Sequence, residues 1–272
     1  MSFRERVASL GGGAGGVGLT WKSAAAGRIA LVCFEHPAAR NALSPQMMVQ
    51  FADAVTALVA ACAEGVEVRA VVIGGVGPWF CAGGDLAAVQ EHLLVEGAAL
   101  EMQAHMRAAC DALADLPVPV IAAVEGPALG GGAELLTACD LVFAAVDAKI
   151  GFVQAAMGVS PGFGGGARLV RRVGARRTLD LLCRERPLDA QQALAVGVVD
   201  EVVEGASGAV WQRALARAEE IARLPPNAGR AIKPLVSRLA QADPSDDVEA
   251  QVFASLWGGA EHVAAIQRFR RR

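Results

Sequence analysis

Apolar positions along the chain follow two spacings. RIALVCFE (28–35) and RAVVIGG (69–75) are nearly continuous runs of apolar residues, the pattern of strands buried on both faces. VPVIAAVEG (118–126), DLVFAA (140–145) and VVDEVV (198–203) read as further strands. Between the first two runs the spacing becomes helical. Ser44 caps a helix whose first residue is Pro45, and its apolar positions are Met47, Met48, Phe51, Val55, Leu58 and Val59. Helices are also expected over about 98–116 and from the glycines at 130–132 to about Ala138, while the chain after residue 163 is mostly helical. Strand–helix alternation predicts α/β architecture with a helical C-terminal part. The expected divisions are a flexible lead-in over 1–24, a core over 25–205 and a helical segment over 206–272.

Composition narrows the class. With 272 residues, 54% hydrophobic and only 19% charged, the chain can bury a sizeable core and is globular, not disordered. No uninterrupted apolar segment reaches the roughly 18–20 residues that span a bilayer, so no membrane partner is expected. MSFRERVASL leads into glycines and not into an apolar signal core, so a cytoplasmic location is expected. A net charge of −3 without interleaved aromatic and basic residues gives no basis for nucleic-acid binding. The six cysteines are scattered without a CxxC pair, which predicts buried reduced thiols and no zinc site. The basic clusters RLVRRVGARR (168–177) and RFRRR (268–272) read as a solvated helix face and a chain terminus. The run from Gly13 to Gly18 fits G-x-G-x-x-G, but no strand precedes it and no amphipathic helix follows, so a dinucleotide site is rejected.

Chemistry concentrates in two glycine-rich stretches, GPWFCAGGD (77–85) and EGPALGGGAE (125–134). Each follows a Val-rich strand and leads toward a helix, where the first N–H groups have no internal partner. Two such junctions could offer one N–H each to a single oxygen, and a thioester carbonyl on its way to an enolate gains most from such donors. Glu134 stands among Ala and Leu, where an ionised carboxylate is costly unless paired.

FCAGGDL (80–86) together with ALGGGAEL (128–135) resembles the enoyl-CoA hydratase/isomerase (crotonase) superfamily. HPAARNALSP (36–45), SPGFGGGARLVRRVG (160–174) and RPLDAQQALAVGVVDEVV (186–203) add to the likeness in order and spacing, over roughly residues 28–272. The resemblance implies a superhelix of repeated β-β-α units followed by a helical C-terminal segment that builds a homotrimer or dimer of trimers. It implies an acyl-CoA substrate, with coenzyme A arriving on that substrate and no metal or other cofactor. By position, the oxyanion donors would be the N–H groups of Gly84 and Gly131, with Glu134 the catalytic acid or base. Arg40, Ala82, Asp85, Leu86 and Arg268 would contact the thioester or its nucleotide. Val89, Leu93 and Leu94 could shape the acyl cavity, with His92 as a further polar group.

One position departs from the pattern. Relatives that hydrate enoyl thioesters use two glutamates around one water, and the second falls at Gln154. Glutamine can orient water but exchanges no proton near neutral pH. The main expectation is a lyase of hydratase type. The alternative is decarboxylation of an ethylmalonyl- or methylmalonyl-type thioester, since ALGGGAELLTACD and the FVxxxMG frame at 152–158 look especially like the ethylmalonyl-CoA decarboxylase branch. From another class, a non-catalytic acyl-CoA-binding subunit is the third reading.

Overall fold

The computed structural model describes residues 2–10, 14–24, 27–64, 67–240 and residue 260. Helix α1 (Phe3–Ala8) and strand β1 (Gly16–Ala24) precede β2 (Gly27–Glu35) and α2 (Pro45–Ala63). Strand β3 (Val68–Gly75), the short helix α3 (Leu86–Ala88) with its continuation Val89–Leu93, and α4 (Ala98–Ala114) come next. Then follow β4 (Val120–Val124), β5 (Ala128–Leu129), α5 (Gly131–Leu136), β6 (Leu141–Ala145) and β7 (Lys149–Gly151). The remainder comprises α6 (Gly165–Val173), α7 (Ala175–Leu182), β8 (Leu188–Asp189), α8 (Ala190–Val196), β9 (Glu201–Val203), α9 (Ala209–Ala222) and α10 (Pro226–Leu239).

Two sheets arise from this order. One runs β1-β2-β3-β4-β6-β9, the other β5-β7-β8. From β2 onward the large sheet is parallel throughout. After β2, β3, β4 and β6 the chain crosses to the second sheet, or to a single bridge such as Leu43–Gly84 or Cys81–Ala128, before entering a helix. Each strand–strand–helix turn stacks on the one before, which is the superhelix that the family resemblance implies.

The alternation of side chains along the strands builds two cores. Ala30, Val32, Phe34, Val71, Ile73, Ala122 and Val142 face α2 and α4, while Ile29, Ala70, Val72, Ile121, Ala123 and Phe143 face the other way, onto α9. Helix α2 is long and apolar enough to cross a bilayer by composition alone, but Met47, Met48, Phe51, Val55 and Leu58 are buried in the core. Its cap is as expected, with Ser44 Oγ accepting from the Met47 N–H; Val59, however, faces solvent.

Two expectations are corrected here. The lead-in over 1–24 carries α1 and β1, because β1 pairs with β2 along its full length, from Gly16 opposite Glu35 to Ala24 opposite Gly27. Gly16 and Gly18 of the rejected dinucleotide pattern therefore lie within a strand. The segment after 205 is helical as expected over its described residues, and Val210, Ala214, Ala218 and Ile221 of α9 close one face of the sheet. All six cysteines are free, yet Cys183 is exposed and Cys33 only half-buried. Burial pushes the thiols of Cys81, Cys110 and Cys139 up to about 12, so they stay neutral.

Candidate active site

The two glycine loops lie side by side. The Phe80 and Cys81 N–H groups donate to Pro127 O at 3.1 and 3.3 Å, and the Leu129 N–H returns a bond of 3.0 Å to Cys81 O. Across the first loop, the Leu43 N–H donates to Gly83 O at 2.7 Å and the Asp85 N–H to Leu43 O at 3.0 Å. A Cβ on Gly83 would come within 3.2 Å of the Gly131 nitrogen, which shows how closely the loops approach. Among the described residues, the N–H groups of Gly84 and Gly131 have no backbone acceptor. They are two open donors brought together from loops 47 positions apart (131 minus 84).

Packing demands the glycines themselves. A Cβ on Gly132 would meet Cys81 O at 2.1 Å, and one on Gly131 would meet the Phe163 ring at 2.5 Å. Gly130 turns the chain at φ 52°, a backbone conformation that side chains disfavour.

Glu134 is only 2% exposed, and its carboxylate is fully engaged. Oε1 accepts from Gln154 Nε2 at 2.8 Å and the Gly162 N–H at 3.1 Å; Oε2 accepts from the Phe163 and Gly165 N–H groups at 2.8 and 2.9 Å. A carboxylate offers about four lone-pair directions, and here four donors fill them. These bonds tie α5 to residues 162–165 and so seat Phe163 against Gly131. Gln154 is also buried, and its Oε1 has no partner.

A guanidinium holds the same loop from behind. Arg168 Nη2 donates to Phe163 O at 2.6 Å, Nε to Thr137 Oγ1 at 3.2 Å and Nη1 to Asp111 Oδ1 at 2.5 Å. The cluster at 168–177 is therefore not simply a solvated face, because α6 turns Arg168 inward where three acceptors meet it. Arg168→Met is expected to lower stability by about 1–3 kcal/mol, as it takes the donor from the buried Phe163 carbonyl; urea denaturation monitored by circular dichroism measures it.

Other predicted positions divide. Arg40 and Ala82 meet, the Ala82 N–H donating to Arg40 O at 3.1 Å, and the Arg40 guanidinium lies 5.1 Å from the centre of the Trp79 ring. Asp85 caps α3 by accepting from the Ala87 and Ala88 N–H groups. Leu86 and Leu94 face solvent instead of lining an enclosed cavity, whereas Leu93 is buried. Val89 Cγ2 would lie 3.7 Å from a Cβ on Gly84. His92 sits near Glu91, 3.7 Å away. Arg268 lies outside the described residues.

Asn41, Phe163 and Arg168 are the residues that sequence reading missed. Buried Asn41 accepts from the His36 N–H and donates to Val76 O and Trp79 O, pinning the base of the first glycine loop. An asparagine placed between a left-handed turn and an apolar helix start is the one signal that could have found it.

Comparison with known proteins bears on this geometry. Residues 24–270 match the family described as enoyl-CoA hydratase/isomerase. An ethylmalonyl-CoA decarboxylase from Danio rerio is 38% identical over 245 residues, 88% of this chain and 79% of that protein. A probable enoyl-CoA hydratase from Rhizobium meliloti is 34% identical, covering 89% of this chain and 91% of that one. The crystal structure of an enoyl-CoA hydratase from Bacillus anthracis superposes with a TM-score of 0.83 at 29% identity, over 93% of this chain and 96% of that one.

Proposed function

The chain belongs to the enoyl-CoA hydratase/isomerase family, and from that premise we propose that it decarboxylates a 2-substituted malonyl-CoA thioester of the ethylmalonyl type. The saturation of Glu134 beside Gln154 carries this reading. Water addition needs a carboxylate with a lone pair turned to the water and an acid to protonate C2. Here the four donors occupy the carboxylate, and the partner side chain is an amide.

Decarboxylation asks less of the side chains. With the thioester oxygen on the Gly84 and Gly131 N–H groups, the bond between C2 and the carboxylate carbon breaks. Its electron pair moves into the thioester as an enolate, CO₂ departs, and a solvent proton adds to C2. The two donors act where the negative charge develops, an effect worth about 10²–10³ in rate for a single donor. Arg40 and Ala82, already in contact, would line the coenzyme A moiety. The Danio rerio relative supports this choice of reaction.

Incubation with ethylmalonyl-CoA and crotonyl-CoA in parallel, followed by mass spectrometry, tests it. Loss of CO₂ from the first with little hydration of the second is expected. Hydration of crotonyl-CoA as the main reaction would assign the protein to the hydratase reading. Binding of both without turnover would make it an acyl-CoA-binding subunit.

A further inference from the structure

We propose that Arg168 is a positioning residue for the reaction: by clamping α5 at both ends, it sets the aim of the Gly131 N–H. The inference rests on the reading above in which that N–H holds the thioester oxygen.

Helix α5 is only six residues long, and Gly131 is its first residue. A helix this short is not stable by itself, so its surroundings fix its direction. The Arg168 guanidinium reaches both of its ends. Nε donates to the hydroxyl of Thr137, the residue that ends α5, and that hydroxyl donates in turn to Glu134 O at 2.6 Å. Nη2 donates to Phe163 O, and Phe163 is the residue whose ring stands against Gly131 and whose N–H is held by Glu134. Nη1 ties the same planar group to Asp111 of α4. One side chain thereby fixes the end of α5, and the ring packed against its start, relative to α4.

The chain leaves room for this contact. Gly164 adopts φ 77°, and a Cβ there would stand 2.9 Å from Arg168 Nη1. Stability is a poor reason for the arrangement, since Arg168 is only 5% exposed and burying a guanidinium costs much of what its pairing returns. What the guanidinium supplies is geometry, because its donors are held in one rigid plane. An oxyanion donor needs that geometry, as it acts only if it is in place before the charge develops.

Isotope-edited infrared spectroscopy tests the idea without turnover. Butyryl-CoA carrying carbon-13 at the thioester carbonyl would be bound to the full-length wild type and to Arg168→Met, Arg168→Lys and Thr137→Val. In the wild type the carbonyl band is expected below its position in free butyryl-CoA, because the two glycine donors polarise the bond. In Arg168→Met it should move part of the way back, as the Gly84 donor stays. With the preferred thioester, kcat per folded molecule should fall about 10²-fold, the cost of a misplacement near 1 Å, with KM within about threefold. Arg168→Lys keeps the charge without the planar fork and should fall between the two. Thr137→Val removes one acceptor at nearly constant shape; it should move the band the same way, and it decides the matter if Arg168→Met does not fold. A purely structural Arg168 would lower the folded fraction, dimming the band without moving it. A band unmoved in the folded variants, with kcat per folded molecule unchanged, would overturn the proposal. No binding, or an unshifted band, in the wild type would instead remove the oxyanion reading beneath it, and would be seen before any variant is compared.

Discussion

Gly131→Ala is expected to lower kcat by about 10²–10³-fold, the range for loss of one oxyanion donor, with a smaller change in KM. The new Cβ would stand 2.5 Å from Cε2 of Phe163. The ring cannot simply withdraw, because the Phe163 N–H is held by Glu134 and its C=O by Arg168. Instead the strain displaces the 130–132 loop, and the Gly131 N–H loses its aim at the thioester oxygen. The contacts proposed for coenzyme A, through Ala82 on the other glycine loop and Arg40 on the turn after β2, lie elsewhere, so ground-state binding is expected to suffer less. Steady-state kinetics with the preferred thioester, alongside a thermal melt, measure the effect. A kcat within threefold or so of wild type would show that the Gly131 donor carries far less than one oxyanion donor is worth.

The second large effect separates two roles for Glu134. Glu134→Gln replaces an acceptor of four hydrogen bonds by a side chain that turns an NH₂ group toward backbone donors. Each buried backbone N–H left facing that NH₂ group costs about 1–3 kcal/mol. The expected result is a large drop in the urea midpoint, with turnover falling alongside as residues 162–165 come loose. A general base behaves otherwise, losing 10²–10⁴-fold in kcat with stability preserved. Unfolding curves and kcat measured on one preparation tell these apart.

Much of the fold is legible in the chain because its signals are local. Ser44 and Pro45 announce α2 regardless of their surroundings, and the apolar runs at 28–35 and 69–75 suit the buried centre of a parallel sheet. The paired glycine loops could be read because each carries its turn and its strand beside it. What stayed hidden depends on distant partners. β1 looks like a polar, glycine-rich lead-in until β2 supplies its hydrogen bonds. Arg168 sits in a run that reads as surface, and only Thr137 and Asp111, 31 and 57 residues away, bring it inside. Glu134 was recognisable as a residue of consequence. That its carboxylate would be filled by donors 28–31 residues downstream was not, since nothing in GGGAEL specifies where the 162–165 amides will turn.

Deuterium labelling distinguishes an enolate from direct hydration. Ethylmalonyl-CoA would be turned over in D₂O and the saturated thioester product isolated. Release of CO₂ together with one carbon-bound deuterium at C2 is expected, delivered from solvent to an enolate held by the two glycine amides. An untouched ethylmalonyl-CoA, with crotonyl-CoA hydrated under the same conditions by a step that Glu134→Gln removes without loss of stability, would contradict it.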